Sequence, residues 1–595
     1  MMKIERYSIG PVLNACLWTP FRVILRKKSG RTMEIPEFWR FVRDSIIGRH
    51  EEIATPFGKR RLIYADYTAS GRGVTFIEAY LQTLLGLYAN THTEDDATGK
   101  VTSERLHRAE EMIKQHTGAG KHYKIIETGT GASGAIHHLQ KILGIYIPPA
   151  AKVIFEENLG SFLSSAQKKA LKAHLFKKRP VVFIGPFEHH SNVVTWRECY
   201  AEVVEIDLDD EGLLDLRDLE KKVSKEEYRA RMKIGSFSAA SNVTGILAPV
   251  EEIARILHMH GAYAFFDYAA FAPYGRINIS RDDESFFDGI FFSPHKFVGG
   301  PGSSGILIIH ERVYRKDLPP TSGAGGTVDY VNFSTQEYNP DIETREKPGT
   351  PGILQIFKAA LAVELKERID PDKICKREKA LVRRAFERFK EYPQIEIVGN
   401  RDPEKRLPII SFNIRCGDAY LHPRFVTRLL NDLFGIQSRA GCLCAGPYGH
   451  RLLGIDCDTS DRLRNLIHKG IQGLKPGWTR INFHFLITEE EYDFLCSSII
   501  FLAEHGKYFL PLYMFDMKTG TWKWAEGESD SHAFGLDDAL NHTGSREPST
   551  QSPSPHFRLY LEEARRNAEE LKKTFSESLL RSTDRQLVPF LYYAR

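Results

Sequence analysis

The sequence predicts an α/β architecture: a large domain with a mostly parallel sheet covered by helices, followed by a smaller α+β domain toward the C-terminus. Three observations predict it. From Leu62 to Ile309 short β-branched and aromatic runs alternate with amphipathic stretches, the pattern of repeated βαβ units. Past Gly352 the text changes to long helices rich in Glu, Lys and Arg, followed by the strand pair PIISFNI and WTRINFHF. The 595 residues exceed what one hydrophobic core holds, and 42% hydrophobic residues suffice to fill more than one.

The strands of the first domain read as KIIE at Lys124, VVFIG at Val181, KIGSFSA at Lys233, YAFFD at Tyr263, DGIFFS at Asp288 and GILIIH at Gly305. Between them lie helices such as VEEIARILHMHG, whose Ile253, Ile256 and Leu257 share a face. The expected organisation is an N-terminal extension over 1–50, the large domain over 51–352, the small domain over 353–505 and a C-terminal extension over 506–595. In that extension TGTWKWAEGESDSH and HTGSREPSTQSPSPH read as a flexible linker. The closing FRLYLEEARRNAEELKKTFSESLL reads as a helix with one apolar face, to pack on the body or meet a partner. There is no internal repeat.

Lys plus Arg (81) nearly balance Asp plus Glu (77), a formal +4, so no whole-molecule field points to nucleic acid or an anionic membrane. No apolar run reaches the length of a membrane span. The 8 cysteines follow no regular framework, which points to a reducing compartment, the cytoplasm by default. The N-terminal stretch through Arg31 is basic, but Glu5 interrupts it and no small-residue cleavage site follows a clean apolar core, so a presequence is the minor reading.

Chemistry enters at the ends of the strands, where open α/β sheets carry their functional loops. GTGASGAIHHLQKILG follows a strand and opens a helix, so its backbone N–H groups can face a phosphate. Gly129, Gly131 and Gly134 also fit G-x-G-x-x-G, which admits a dinucleotide site with Glu156 or Glu157 as its acid, or a plain packing turn. Asp267 ends the apolar strand YAFFD; a carboxylate is expensive to bury there unless paired, and a pyridinium nitrogen would pair it. Capping the next helix is the alternative. Lys296, in FFSPHKFVGG, follows another apolar strand among small and ring-shaped residues; desolvation there would make its amine competent to form a Schiff base, where a surface lysine would merely be solvated. Ser293 and His295 beside it could bind phosphate. His189 and His190, in GPFEHHSNVVTW, fall after VVFIG, where an imidazole can stack on a ring and move protons, or simply cap a helix.

Taken together in order, these blocks resemble the class V branch of the fold-type I pyridoxal-phosphate enzymes, which includes cysteine desulfurases and selenocysteine lyases. The resemblance runs from about Arg61 to Ile500 and includes YADYTASGRG, YANTHTE, GTGASGA, EHHSN, SAASNVTG and SPHK. It implies a fold-type I transferase architecture and pyridoxal 5'-phosphate as cofactor. It further implies that Thr130, Gly131 and Ala132 hold the phosphate with Ser293 and His295. His189 would stack on the ring, Asn242 would lie near the phenolic oxygen or substrate, Asp267 at the ring nitrogen and Lys296 on the aldehyde. Thr350, in KPGTPG, corresponds to a residue lent to the other subunit's phosphate, which implies a homodimer. Arg480, in GWTRINF, corresponds to the arginine that grips the carboxylate of a small amino-acid substrate, a task suited to its fork.

The loop SRAGCLCAGPYG resembles the desulfurase pattern R-x-G-x-x-C-A-x-P and places Cys444 at the nucleophile position, with Arg439 as a neighbour able to favour the thiolate. That implies transfer of sulfur from cysteine to Cys444 as a persulfide, release of alanine, and a sulfur-acceptor protein as a partner. Cys442 stands where the commoner loop has histidine; two thiols do not complete a zinc site, and no metal is expected. Ala270 stands where desulfurases commonly carry Gln after the ring aspartate. Another class V lyase or aminotransferase, a nucleotide-dependent oxidoreductase and a catalytically silent scaffold remain as alternatives.

Overall fold

The computed structural model describes residues 35–593 apart from 92, 94, 130, 442, 443, 528–556, 585 and 586. Its large sheet is formed by β1 (Tyr123–Thr128), β2 (Val181–Ile184), β3 (Glu202–Glu205), β4 (Lys233–Ser238), β5 (Tyr263–Asp267), β6 (Gly289–Phe292) and β7 (Gly305–His310), in the order β1–β7–β6–β5–β4–β2–β3. The run from β6 to β3 is parallel, and β7 lies antiparallel to both β6 and β1. The six strands read from the sequence are all present. β3 was not among them: its four residues, Glu-Val-Val-Glu, are only half-buried at the sheet edge and show no continuous apolar run.

Alternate residues of each strand feed opposite faces, as a pleated chain requires. Val181, Phe183, Phe266, Ile290 and Phe292 enter one core, and Val182, Ile184, Phe265 and Phe291 the other. Both faces are helix-covered, so the strands read as continuous apolar runs. α1 (Gly131–Ile142) packs on β7 and β6, and the amphipathic α4 (Val250–Met259) on the opposite side against β5. Between α1 and β2 the chain also forms α2 (Pro149–Phe162) and α3 (Ser165–Lys178).

α5 (Ile353–Ile369) and α6 (Pro371–Phe389) lead into the second domain. Its sheet comprises β8 (Ile395–Ile397), β9 (Ile409–Cys416), β10 (Ala419–Leu421), β11 (Arg439–Ala440) and β12 (Thr479–Asn482). β13 (Leu580–Ser582) and β14 (Phe590–Tyr593), from near the C-terminus, extend it, with β14 parallel to β10. The helices α7 (Pro423–Phe434), α8 (Glu489–His505) and α9 (Phe557–Thr574) cover it. The terminal helix packs on the body: Phe557, Ala564 and Ala568 are its buried stripe. TGTWKW differs from the linker expectation. Tyr513–Asp516 and Thr521–Trp524 pair as an antiparallel hairpin, because Tyr513 and Trp522 are buried and Gly520 takes the positive φ of the turn. HTGSREPSTQSPSPH lies outside the described residues.

Candidate functional site

The parallel strands bring their carboxyl ends to one level, and the predicted side chains project from the loops just beyond them. Asp267 ends β5, Ser293 follows β6, Lys296 closes the short 3-10 turn after it, and His189 opens another beyond β2. The second domain closes the remaining side with Arg439, Cys444 and Arg480. Together they bound a cavity of about 260 Å³ whose walls include Lys296, Asp267, His189, Asn242, Cys444 and Arg480.

Asp267 is buried and its Oδ1 accepts from the Ala269 N–H at 2.8 Å, so the turn-capping and cavity-facing readings coexist. Burial raises its pKa, opposed by that hydrogen bond and by Lys296. Lys296 is lowered, first by burial, with Asp267 opposing and Arg480 adding to the shift. A carboxyl group wanting a cation and an amine wanting to be neutral therefore face the same space. Such an amine can attack a carbonyl. His189 is pushed down to about 4, mainly by burial and next by Lys296. Its Nδ1 accepts from the Ser191 N–H at 3.1 Å, so the neutral ring carries its proton on Nε2.

A phosphate cradle lies at the start of α1. Gly131 has φ +59°, and a Cβ there would come within 2.7 Å of Ser293 Oγ, which itself accepts from the Ala132 N–H at 2.8 Å. β6 and the N-terminus of α1 are thus joined where helix donors and the dipole favour an anion. His295 reaches the same wall, with Nδ1 3.2 Å from Ser70 Oγ. Thr130 lies outside the described residues, as does Cys442. The donor set, Asp267 and Lys296 fit the chemistry of a pyridoxal phosphate: anion donors, a buried carboxyl and a buried amine line the same cavity.

Arg480 is buried in β12; its Nη1 donates to the Asn242 carbonyl at 2.9 Å and its Nη2 pairs with Asp66 at 3.1 Å. Arg439 pairs through Nε with the other Asp66 oxygen at 2.9 Å. Asp66 thus holds both arginines, a role the sequence reading missed. It ends an apolar stretch in YADYTASGRG, and the burial argument applied to Asp267 would have found it. Glu188 was also missed. It accepts from Asn192 Nδ2 at 2.6 Å and the Ser238 N–H at 2.8 Å, is pushed up to about 7 by burial, and anchors the turn that carries His189.

His190 is not part of the cavity wall and ties down the cysteine loop: its N–H donates to the Cys444 carbonyl at 2.6 Å, and its Nε2 accepts from the Gly446 N–H at 3.0 Å. Thr350 does not reach this cavity. It is exposed, and its Oγ1 accepts from Asn90 Nδ2 at 3.0 Å.

The chain matches the family model "Aminotransferase class-V" over residues 137–495. It belongs to the class V aminotransferase family. The probable cysteine desulfurase of Halalkalibacterium halodurans is 29% identical to this class V chain over 321 residues, 53% of this chain and 74% of the relative. That of Pyrococcus abyssi is 32% identical over 283 residues, 47% and 66% of the two chains. Among solved structures, the cysteine desulfurase of Thermococcus onnurineus NA1 matches with a TM-score of 0.60 at 24% identity, covering 80% of this chain and 99% of that one. CsdA of Escherichia coli matches with 0.57 at 19% identity and the same coverages, 80% and 99%. The fold is therefore fold-type I, and the protein is a pyridoxal-phosphate-family enzyme of cysteine desulfurase-like type. The dinucleotide alternative is displaced on structural grounds too. β1 and β2 are not neighbours in the sheet, so the glycine turn does not open an adjacent βαβ unit, and Glu156 is exposed in an ion pair with Lys172 at 3.2 Å.

Proposed function

We propose that the chain binds pyridoxal 5'-phosphate through Lys296 and desulfurates free cysteine, with Cys444 as the sulfur acceptor. The observation that carries this reading is that Cys444 and Lys296 line one cavity with Arg480. The bound cofactor supplies an electron sink beside the substrate's α-carbon. Everything else falls to the chain. Gly131, Ala132, Ser293 and His295 hold the phosphate, His189 covers the ring, and Asp267 keeps its nitrogen protonated. Arg480 binds the substrate carboxylate, with Asn242 beside it, and Arg439 raises the positive potential near the thiolate. Lys296 Nζ moves the α-proton. The Cys444 thiolate attacks the substrate sulfur as the Cβ–S bond breaks; the bond's electron pair stays on carbon, which takes a proton. Alanine leaves, and Cys444 keeps a persulfide for a sulfur-acceptor protein.

A homodimer in a reducing compartment such as the cytoplasm completes the proposal. Thr350 is exposed rather than turned into its own cavity, consistent with service to a second copy, and Phe333 stands fully in solvent. Ala270 favours a second reading, another class V lyase or aminotransferase, because it lines the cavity without a side-chain donor for the phenolic oxygen. The deciding experiment supplies cysteine and a thiol reductant, which takes the outer persulfide sulfur off Cys444 as sulfide, to the cofactor-loaded protein and measures sulfide and alanine in equal amounts. Cys444→Ala should abolish both while leaving cofactor absorbance intact; release unaffected by that substitution overturns the role of Cys444.

A further inference from the structure

The excursion formed by α2 and α3 takes no part in the chemistry proposed above. It leaves α1 and returns to the amino end of β2, the pole of the sheet opposite the carboxyl ends where the cavity opens. None of the described side chains of either helix is buried. Ile154, Phe155, Leu159 and Phe162 share one face of α2 at helical spacing, and all four are exposed, Phe155 by 65% and Phe162 by 86%. Glu156 and Glu157 lie off that face. α3 carries Lys168, Lys169, Lys172, Lys177 and Lys178 and no acidic residue.

Charge is concentrated here. Residues 149–179 hold seven Lys or Arg against two Glu, a net of five positive charges, while the whole chain carries +4. The rest of the molecule is therefore slightly negative. Two 14-residue helices that bury nothing are marginal on their own, and an apolar stripe of this kind on a soluble surface marks an interaction site.

We propose that this hairpin docks the protein peripherally on an anionic lipid surface. The stripe stands on a projecting helix rather than lining a groove, and the lysines are spread around α3 instead of forming one directed row. A headgroup layer satisfies both at once: apolar side chains enter the acyl boundary while lysine stems reach the phosphates. A protein partner would instead require matched, directional acceptors. No helix among the described residues is long and apolar enough to cross a membrane, so the attachment is to the surface. Because the hairpin lies at the pole away from the cavity, docking leaves the cavity mouth free, and the proposal stands apart from the reaction assigned to it.

The test is co-sedimentation of the full-length protein with vesicles of phosphatidylcholine alone or with about 30% phosphatidylserine. Binding is expected only to the anionic vesicles and should weaken at high salt. The triple variant K168E/K169E/K172E should lose affinity on the order of 100-fold, and F155S/F162S should lose binding with thermal stability retained. Failure of the wild type to sediment with the anionic vesicles overturns the proposal, as do variants that sediment like the wild type. Saturable binding of polyglutamate without vesicle binding also overturns it and assigns the face to an acidic protein.

Discussion

Replacing Asp66 by Asn removes a carboxylate that pairs with both Arg480, at 3.1 Å, and Arg439, at 2.9 Å. The two pairs contribute unequally. The Arg480 side chain is 4% exposed and that of Arg439 49%, so only the first leaves a desolvated cation behind. Breaking a buried pair by removing one partner costs about 3–5 kcal/mol, whereas an exposed pair is worth roughly 0–1 kcal/mol. For a cooperative unit the size of the large domain, that predicts a fall in melting temperature of roughly 5–8 °C. The assay is thermal unfolding of the ligand-free protein across a sulfate series. An anion can take the vacated place beside Arg480, so sulfate should stabilise Asp66→Asn more than the wild type. A variant that melts with the wild type and shows the same sulfate dependence would refute the assignment of Asp66 as the shared counter-ion.

Further outcomes follow from the same geometry. Gly131→Ala places a Cβ within 2.7 Å of Ser293 Oγ at φ +59°, so affinity for pyridoxal phosphate should fall at least about tenfold in a fluorescence titration. His190→Ala removes the acceptor for the Gly446 N–H and should lower kcat roughly tenfold with KM near wild type, while His190→Gln, whose carbonyl can accept, recovers most of it; equal losses would contradict the anchoring role. Buried His422 is pushed down to about 4, below the 6.5 of an unfolded imidazole. Its stabilising contribution is full above pH 6.5 and is lost as pH falls toward 4, by roughly 3 kcal/mol. Melting curves between those limits should flatten in His422→Gln.

The large domain was legible because its strands are buried on both faces and read as apolar runs ended by the residues that matter. Asp267, Ser293 and Lys296 were singled out at or just beyond the ends of apolar strands, and their roles came from the family resemblance. Cys444 was legible only through its loop pattern, since no local feature separates it from Cys457 or Cys416. Asp66 escaped although it too ends an apolar stretch: its strand, Ile63–Tyr64, is only two residues long, and the pairing of that strand with Ile436–Gln437 from the second domain is a contact no local pattern announces. The hairpin at Tyr513–Trp524 escaped for a related reason: its polar turn outweighed its alternating aromatic residues in composition. His190 was weighed only beside His189, although the two project to different partners. The hairpin of α2 and α3 left a trace as clustered lysines, but the near-zero total charge hid it.

The central claim, that Lys296 is the lysine that holds pyridoxal phosphate, is tested most directly by the visible absorbance of the purified protein. The wild type reconstituted with the cofactor should show a yellow band that borohydride reduction fixes covalently to the peptide containing Lys296, and Lys296→Ala should lack it. A band of the same intensity in Lys296→Ala, or a reduced adduct on another lysine, would contradict the account.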